Sequence, residues 1–147
     1  MEANYYMIIT TKEDYEKDLE NNLKCSVFFK RNRKSVDNFK KGDKVFFNLT
    51  KTSSFTAKAE IIGKSFYNQE QIWTNEYDLW PCRVESKPEY IIEDEENMLH
   101  IKDIWENLNF IKNKDKWKTQ VQGNFREIIE HDYNVILENI KRRCKKI

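Results

Sequence analysis

The sequence predicts an α+β domain built on a small, partly closed barrel of four to six short strands, with helices at its start, middle and end. Three observations carry this. Short β-favouring runs recur along the chain, apolar residues fall at helical spacing in three places, and 147 residues leave room for one domain spanning 1–147. Aromatic residues make up 14% of a chain that is only 39% hydrophobic and 35% charged. They supply the large apolar side chains that a disordered polar chain lacks, so an aromatic-rich core is expected.

The elements follow in order. Residues 4–9 form a β-favouring run, and Thr10-x-x-Glu13 has capping-box spacing for a helix reaching to about Leu23. Residues 25–29 read as a second strand, after which Val36 and Phe39 mark a short amphipathic turn. Gly42-Asp43 makes a tight turn into a strand over 45–49. The polar turn at 52–54 leads back along 55–62, with Phe55, Ala57, Ala59 and Ile61 alternating toward one face, which predicts a hairpin. Residues 64–79 lack a clean period and read as a long loop or ragged strand, and 80–85 returns to strand. Ile101, Ile104, Trp105 and Leu108 fall at i, i+3, i+4 and i+7, one apolar face of a short helix with Trp105 in the core. Tyr133, Ile136, Leu137 and Ile140 close the chain with a helix whose basic end suits the macrodipole.

Composition narrows the chemistry. Cys25, Cys82 and Cys144 are an odd, widely spaced set with no CxxC pair, which points to neither a disulfide framework nor a metal site. His100 and His131 stand in no HExxH-like frame and read as surface or capping residues. Three glycines and no GxGxxG or GxxxxGK[ST] disfavour nucleotide-phosphate cradles, and no cofactor is expected. The longest apolar run, 5–9, is far short of the roughly 20 residues that a membrane span needs, and Glu2 and Asn4 spoil a signal sequence. The expectation is a soluble, cytoplasmic protein.

The net charge of +1 conceals local excess. Residues 30–44 hold Lys30, Arg31, Arg33, Lys34, Lys40, Lys41 and Lys44 against two aspartates. Residues 112–126 hold Lys112, Lys114, Lys116, Lys118 and Arg126 against one. Acid gathers between, over 85–96. A positive face interleaved with aromatic residues suits a phosphate backbone with exposed bases. The basic tail at 141–147 reads as solvated.

The order of landmarks is more specific: Tyr5-Tyr6-Met7-Ile8-Ile9-Thr10, Lys41-Gly42-Asp43-Lys44-Val45, Trp80-Pro81-Cys82-Arg83-Val84, then Leu108-Asn109-Phe110-Ile111-Lys112-Asn113-Lys114-x-x-Trp117. With Arg126-Glu127-Ile128 and Asp132-Tyr133, this resembles the EVE domain family and, within it, the small stand-alone UPF0310 proteins, over about residues 4–140. The resemblance implies a PUA-like pseudo-barrel of about five to six mixed strands flanked by helices, related to YTH and ASCH domains. It also implies a pocket for a flipped or modified base, in RNA or DNA, with a basic mouth.

Carried over residue by residue, the resemblance matches the pocket strand of related readers to Cys25-Ser26-Val27, their aromatic loop to 73–80 and their late basic loop to 110–123. Thr10 and Thr11 fall at the pocket rim, where Thr11 also has a capping role open to it. The expected base-binding residues are Thr11, Ser26, Val27, Trp73, Trp80, Trp117 and Gln122, with Gln120 a second amide beside Gly123. The expected phosphate-binding residues are Lys30, Arg31, Arg33, Lys112, Lys114 and Arg126. Ser26 departs from the pattern, since readers of methylated adenine usually carry tryptophan there. One lost aromatic wall weakens stacking by roughly 1–3 kcal/mol per base. Two other readings stand beside this one. An ASCH-like amidohydrolase acting on acylated nucleosides would need a lysine, a hydroxyl and a carboxylate together, for which Thr11, Lys12 or Lys44 and Glu85 are the available residues. A protein-interaction module would need a contiguous exposed apolar patch.

Overall fold

The computed structural model describes residues 3–20, 25–28, 39–67, 82–112, 115, 117–118 and 125–144, with backbone alone at 18, 25–28, 64–67, 82–84 and 125. Seven strands form one mixed sheet: β1 (Tyr5–Thr10), β2 (Cys25–Phe28), β3 (Lys44–Leu49), β4 (Ser54–Tyr67), β5 (Cys82–Ile91), β6 (Leu99–His100) and β7 (Phe125–Ile128). Helix α1 spans Lys12–Glu20 and α2 spans Glu130–Arg143. The strand order is β2-β5-β4-β3-β1-β7, with β6 paired to β4 beside this path. The class is α+β, as the sequence predicts. Among the described residues no pairing joins β2 to β7, so the sheet is open rather than closed into a barrel.

Within the sheet β1 and β3 form a parallel pair, and both strands are covered on both faces. Met7, Ile9, Phe46 and Phe55 face Ile101, Leu108 and the α2 residues Tyr133, Ile136 and Ile140. On the other side Tyr6, Ile8, Val45 and Phe47 share a face with Ala57, Ala59 and Ile61 of β4 and pack with Tyr15 and Phe39. This is why 5–9 reads as a continuous apolar run rather than an alternating one. Each fully buried large side chain contributes about 1.5–3 kcal/mol. The 40–43 turn ties the starts of the two strands together. Gly42 adopts a φ of 97°, and the buried Asp43 carboxylate accepts the amides of Asn4 at 2.9 Å and Lys40 at 3.0 Å.

The hairpin of β3 and β4 forms, but its alternation breaks. Phe47 pairs with Ala57 and Asn48 with Phe55, leaving Thr56 as an extra residue. A one-residue bulge inverts every side chain beyond it, so Phe55 joins the opposite core layer from Ala57, Ala59 and Ile61. Thr56 itself stays on the Tyr15 side and donates to the Tyr15 hydroxyl at 3.2 Å. The helix expected around Ile101 is instead two 3-10 turns, Ile101–Asp103 and Trp105–Asn107. Ile104, at φ −132° and ψ 0°, interrupts them. The predicted burial of Ile101, Ile104 and Leu108 holds, whereas Trp105 is only half-buried against the core.

Helix α1 begins one residue later than the capping-box spacing predicts. The Thr11 hydroxyl accepts the Asp14 amide at 3.1 Å. The proposed end of α1 near Leu23 and the turn at Val36 lie outside the described residues. Of the segment read as a long loop or ragged strand, 64–67 is strand, since β4 runs on to Tyr67 against Cys82.

Candidate nucleic-acid interface

Backbone register places several segments at one end of the sheet. Thr10 pairs with Leu49, Leu49 with Ser54 and Ser54 with His100. The start of α1, the 50–53 turn and the 3-10 turns after His100 therefore meet at this end. The Ile101 amide donates to the Ser53 carbonyl at 2.9 Å, across a residue held at φ 49°. Lys12 reaches Glu95 at 3.4 Å.

The described ends of the 110–126 segment are both held. Asp132, 1% exposed in α2, accepts the Asn109 amide at 2.7 Å and the Phe110 amide at 3.1 Å. A buried carboxylate needs such donors, and here they set the direction in which the chain leaves the core. At the far root, Arg126 in β7 pairs with Met7, and its guanidinium lies 5.2 Å from the Phe110 ring centroid. Within the loop Trp117 packs edge to face on Trp105 at 6.2 Å and on His100 at 6.1 Å. The ammonium groups of Lys102 and Lys118 lie 5.2 and 5.9 Å from its ring centroid.

Of the expected site residues, Thr11 and Trp117 lie at this end and Lys112 is exposed at the start of the loop. Arg126 stands at the loop's end. Ser26 and Val27 pair with Val84 and Arg83 of β5, which in turn face Ser65 and Phe66 on the distal part of β4. Trp73, Trp80, Gln120, Gln122, Lys30, Arg31, Arg33 and Lys114 lie outside the described residues. Sequence reasoning missed His100, Lys102 and Lys118 as companions of Trp117. The available signals were Lys102 three residues before Trp105 and Lys118 next to Trp117.

Other ionisable groups answer one another. Lys58, 4% exposed in β4, pairs with Glu89 at 3.0 Å, and Lys44 bonds Glu60 and lies 3.9 Å from Glu89. The hydrogen bond from Lys44 holds the Glu60 carboxyl below its usual range. Some of the acid in 85–96 therefore neutralises the protein's own lysines. The residues available for an amidohydrolase do not converge: Lys12 meets Glu95, Lys44 meets Glu60, and Glu85 lies against Gly63. A cleft of about 440 Å³ opens beside the end of α2, lined by Ile91, Glu93, Asp94, Asn97, Arg142, Arg143 and Cys144. None of the expected site residues lines it. Its two carboxylates, Glu93 and Asp94, are matched in number by Arg142 and Arg143.

No family model matches the chain. It is 26% identical over 144 residues to a UPF0310 protein of Pyrococcus abyssi, an alignment covering 90% of this chain and 96% of the relative. The similarity to this UPF0310 protein runs nearly end to end in both chains. The fold of this chain is shared with the YTH domain of the Zygosaccharomyces rouxii MRB1 protein, solved in complex with N6-methyladenosine RNA. The TM-score is 0.68 at 14% identity, over 95% of this chain and 87% of that one. Human THYN1, solved with DNA containing 5-methylcytosine, superposes with a TM-score of 0.63 at 12% identity, over 95% of this chain and 98% of that one. Among the described residues, no helix is long and apolar enough to cross a membrane.

Proposed function

We propose that the chain is a nucleic-acid-binding module that accepts a flipped, modified base in an aromatic pocket and holds the flanking phosphates on a basic rim. The observation that carries this reading is a shared fold: one neighbour holds a methylated RNA base and another a methylated DNA. The anchored basic loop adds to it, because Asp132 and Phe110 present Lys112, Trp117 and Arg126 from fixed roots. Thr11, Ser26, Val27, Trp73, Trp80, Trp117 and Gln122 are assigned to the base. Lys30, Arg31, Arg33, Lys112, Lys114 and Arg126 are assigned to phosphates. Stacking supplies the affinity for the base face and the amide reads its edge, while the cations release counterions from the backbone. The chain needs no cofactor for this.

The test compares wild type with Trp73→Ala and Trp80→Ala on short RNA and DNA strands carrying N6-methyladenine, 5-methylcytosine or no modification. The reading expects one modified strand to bind best and each tryptophan loss to remove most of that preference. Equal binding of all strands by all three proteins contradicts the pocket.

A further inference from the structure

Several described cations have an acidic partner. Lys12, Lys17, Lys44, Lys58 and Arg143 each lie within ion-pair distance of a carboxylate. Lys102 and Lys118 do not, among the described residues. Both are exposed, and both rest on the half-buried Trp117 ring, with Lys102 also 5.8 Å from the Trp105 centroid. His100 helps to hold Lys102 in place, because its Nδ1 accepts the Lys102 amide at 3.0 Å. The result is an aromatic surface with two lysine ammonium groups over one ring, supported from behind by Trp105 and the core.

We propose that Trp117, flanked by Lys102 and Lys118, is a stacking platform for a nucleotide of a single strand, beside the one whose base enters the pocket. This rests on the nucleic-acid reading above and refines it: Trp117 leaves the set that encloses the flipped base and becomes a second contact point, for the neighbouring nucleotide. An ammonium on an exposed ring is held more weakly than a stacked base, so a base displaces it. The freed lysine then meets the phosphate that arrives with the base, and charge is matched at each step. A duplex cannot use the platform, because its base faces are already stacked on each other. The strand is preferred to an acidic peptide because only a base offers a flat face to Trp117 together with an anion for each lysine.

The full chain is titrated with dye-labelled oligothymidylate and oligouridylate of about ten nucleotides at several salt concentrations. Trp117→Ala is expected to weaken binding roughly 5- to 100-fold, and Trp117→Phe to restore most of it. Lys102→Ala with Lys118→Ala is expected to flatten the slope of log K against log salt by about 1.4, two phosphate contacts at about 0.7 each. Wild type that binds, with variants that bind equally well at the same slope, overturns the platform and leaves the nucleic-acid reading standing. Wild type that binds neither strand overturns both, and binding of a polyglutamate peptide in that case assigns the surface to a protein partner.

Discussion

Asp132 holds the amide of Phe110 at 3.1 Å from inside the core, so a carboxylate in the first turn of α2 decides where a lysine-rich loop twenty residues earlier in the chain begins. Its other oxygen takes the Asn109 amide, and both acceptors are in use. Asp132→Asn keeps the size but turns one acceptor into a donor that faces an N–H. The expected loss is about 1–3 kcal/mol of stability, read by urea unfolding. A neutral effect would mean that the loop root is held elsewhere.

Thr11 places the same demand on one hydroxyl. It accepts the Asp14 amide at 3.1 Å, so Thr11→Ala is expected to cost about 1 kcal/mol through the lost cap, whereas Thr11→Ser is close to neutral. Thermal unfolding of the two variants checks this. Equal destabilisation by both would show that the threonine methyl, rather than its oxygen, matters.

Lys58 and Glu89 make an asymmetric pair, because the lysine is buried and its partner is partly in water. Glu89→Ala strands a buried ammonium and is expected to cost about 1–3 kcal/mol. Lys58→Met keeps the stem and removes the charge, and is expected to cost less. Urea unfolding of both variants gives the order, and the reverse order contradicts it.

The aromatic layers also set an alkaline limit. Burial pushes the hydroxyls of both Tyr133 and Tyr6 up to about 12 from the usual 10, and the charges of Asp43 and Glu127 add to the rise at Tyr6. The fold favours the neutral phenol. The unfolded chain ionises first, so this stability is intact below pH 10 and is lost as pH rises toward 12. Absorbance of tyrosinate, followed with circular dichroism through that window, is expected to show ionisation and unfolding together. Tyr133→Phe should shift the unfolding midpoint upward.

Much of this architecture is legible in the residues. The run at 5–9, the Gly42-Asp43 turn, the hairpin after it and the 133/136/140 spacing of α2 appear where pattern places them. The position of Phe55 is not legible, because a bulge at Thr56 is set by pairing across strands and leaves the local pattern unchanged. The 101–108 segment misleads for a related reason. Spacings of three and four serve successive 3-10 turns as well as an α-helix, and His100 caps the first turn with its own ring. Strand β7 has only four residues and lies beside β1 by long-range pairing. In the candidate site, Trp117 and Arg126 stand out in the sequence. Lys102 gains its meaning only when β6 brings His100 and the following turn against the loop.

Binding through a modified base is tested most directly by titrating wild type with matched strands that differ in one methyl group, N6-methyladenine or 5-methylcytosine against the plain base, at two salt concentrations. The reading proposed here predicts that one methylated strand binds several-fold more tightly than its unmethylated partner at both salts, with affinity for both falling steeply as salt rises. Identical affinities for methylated and plain strands would contradict recognition of a modified base, and no binding even at low salt would contradict the nucleic-acid interface itself.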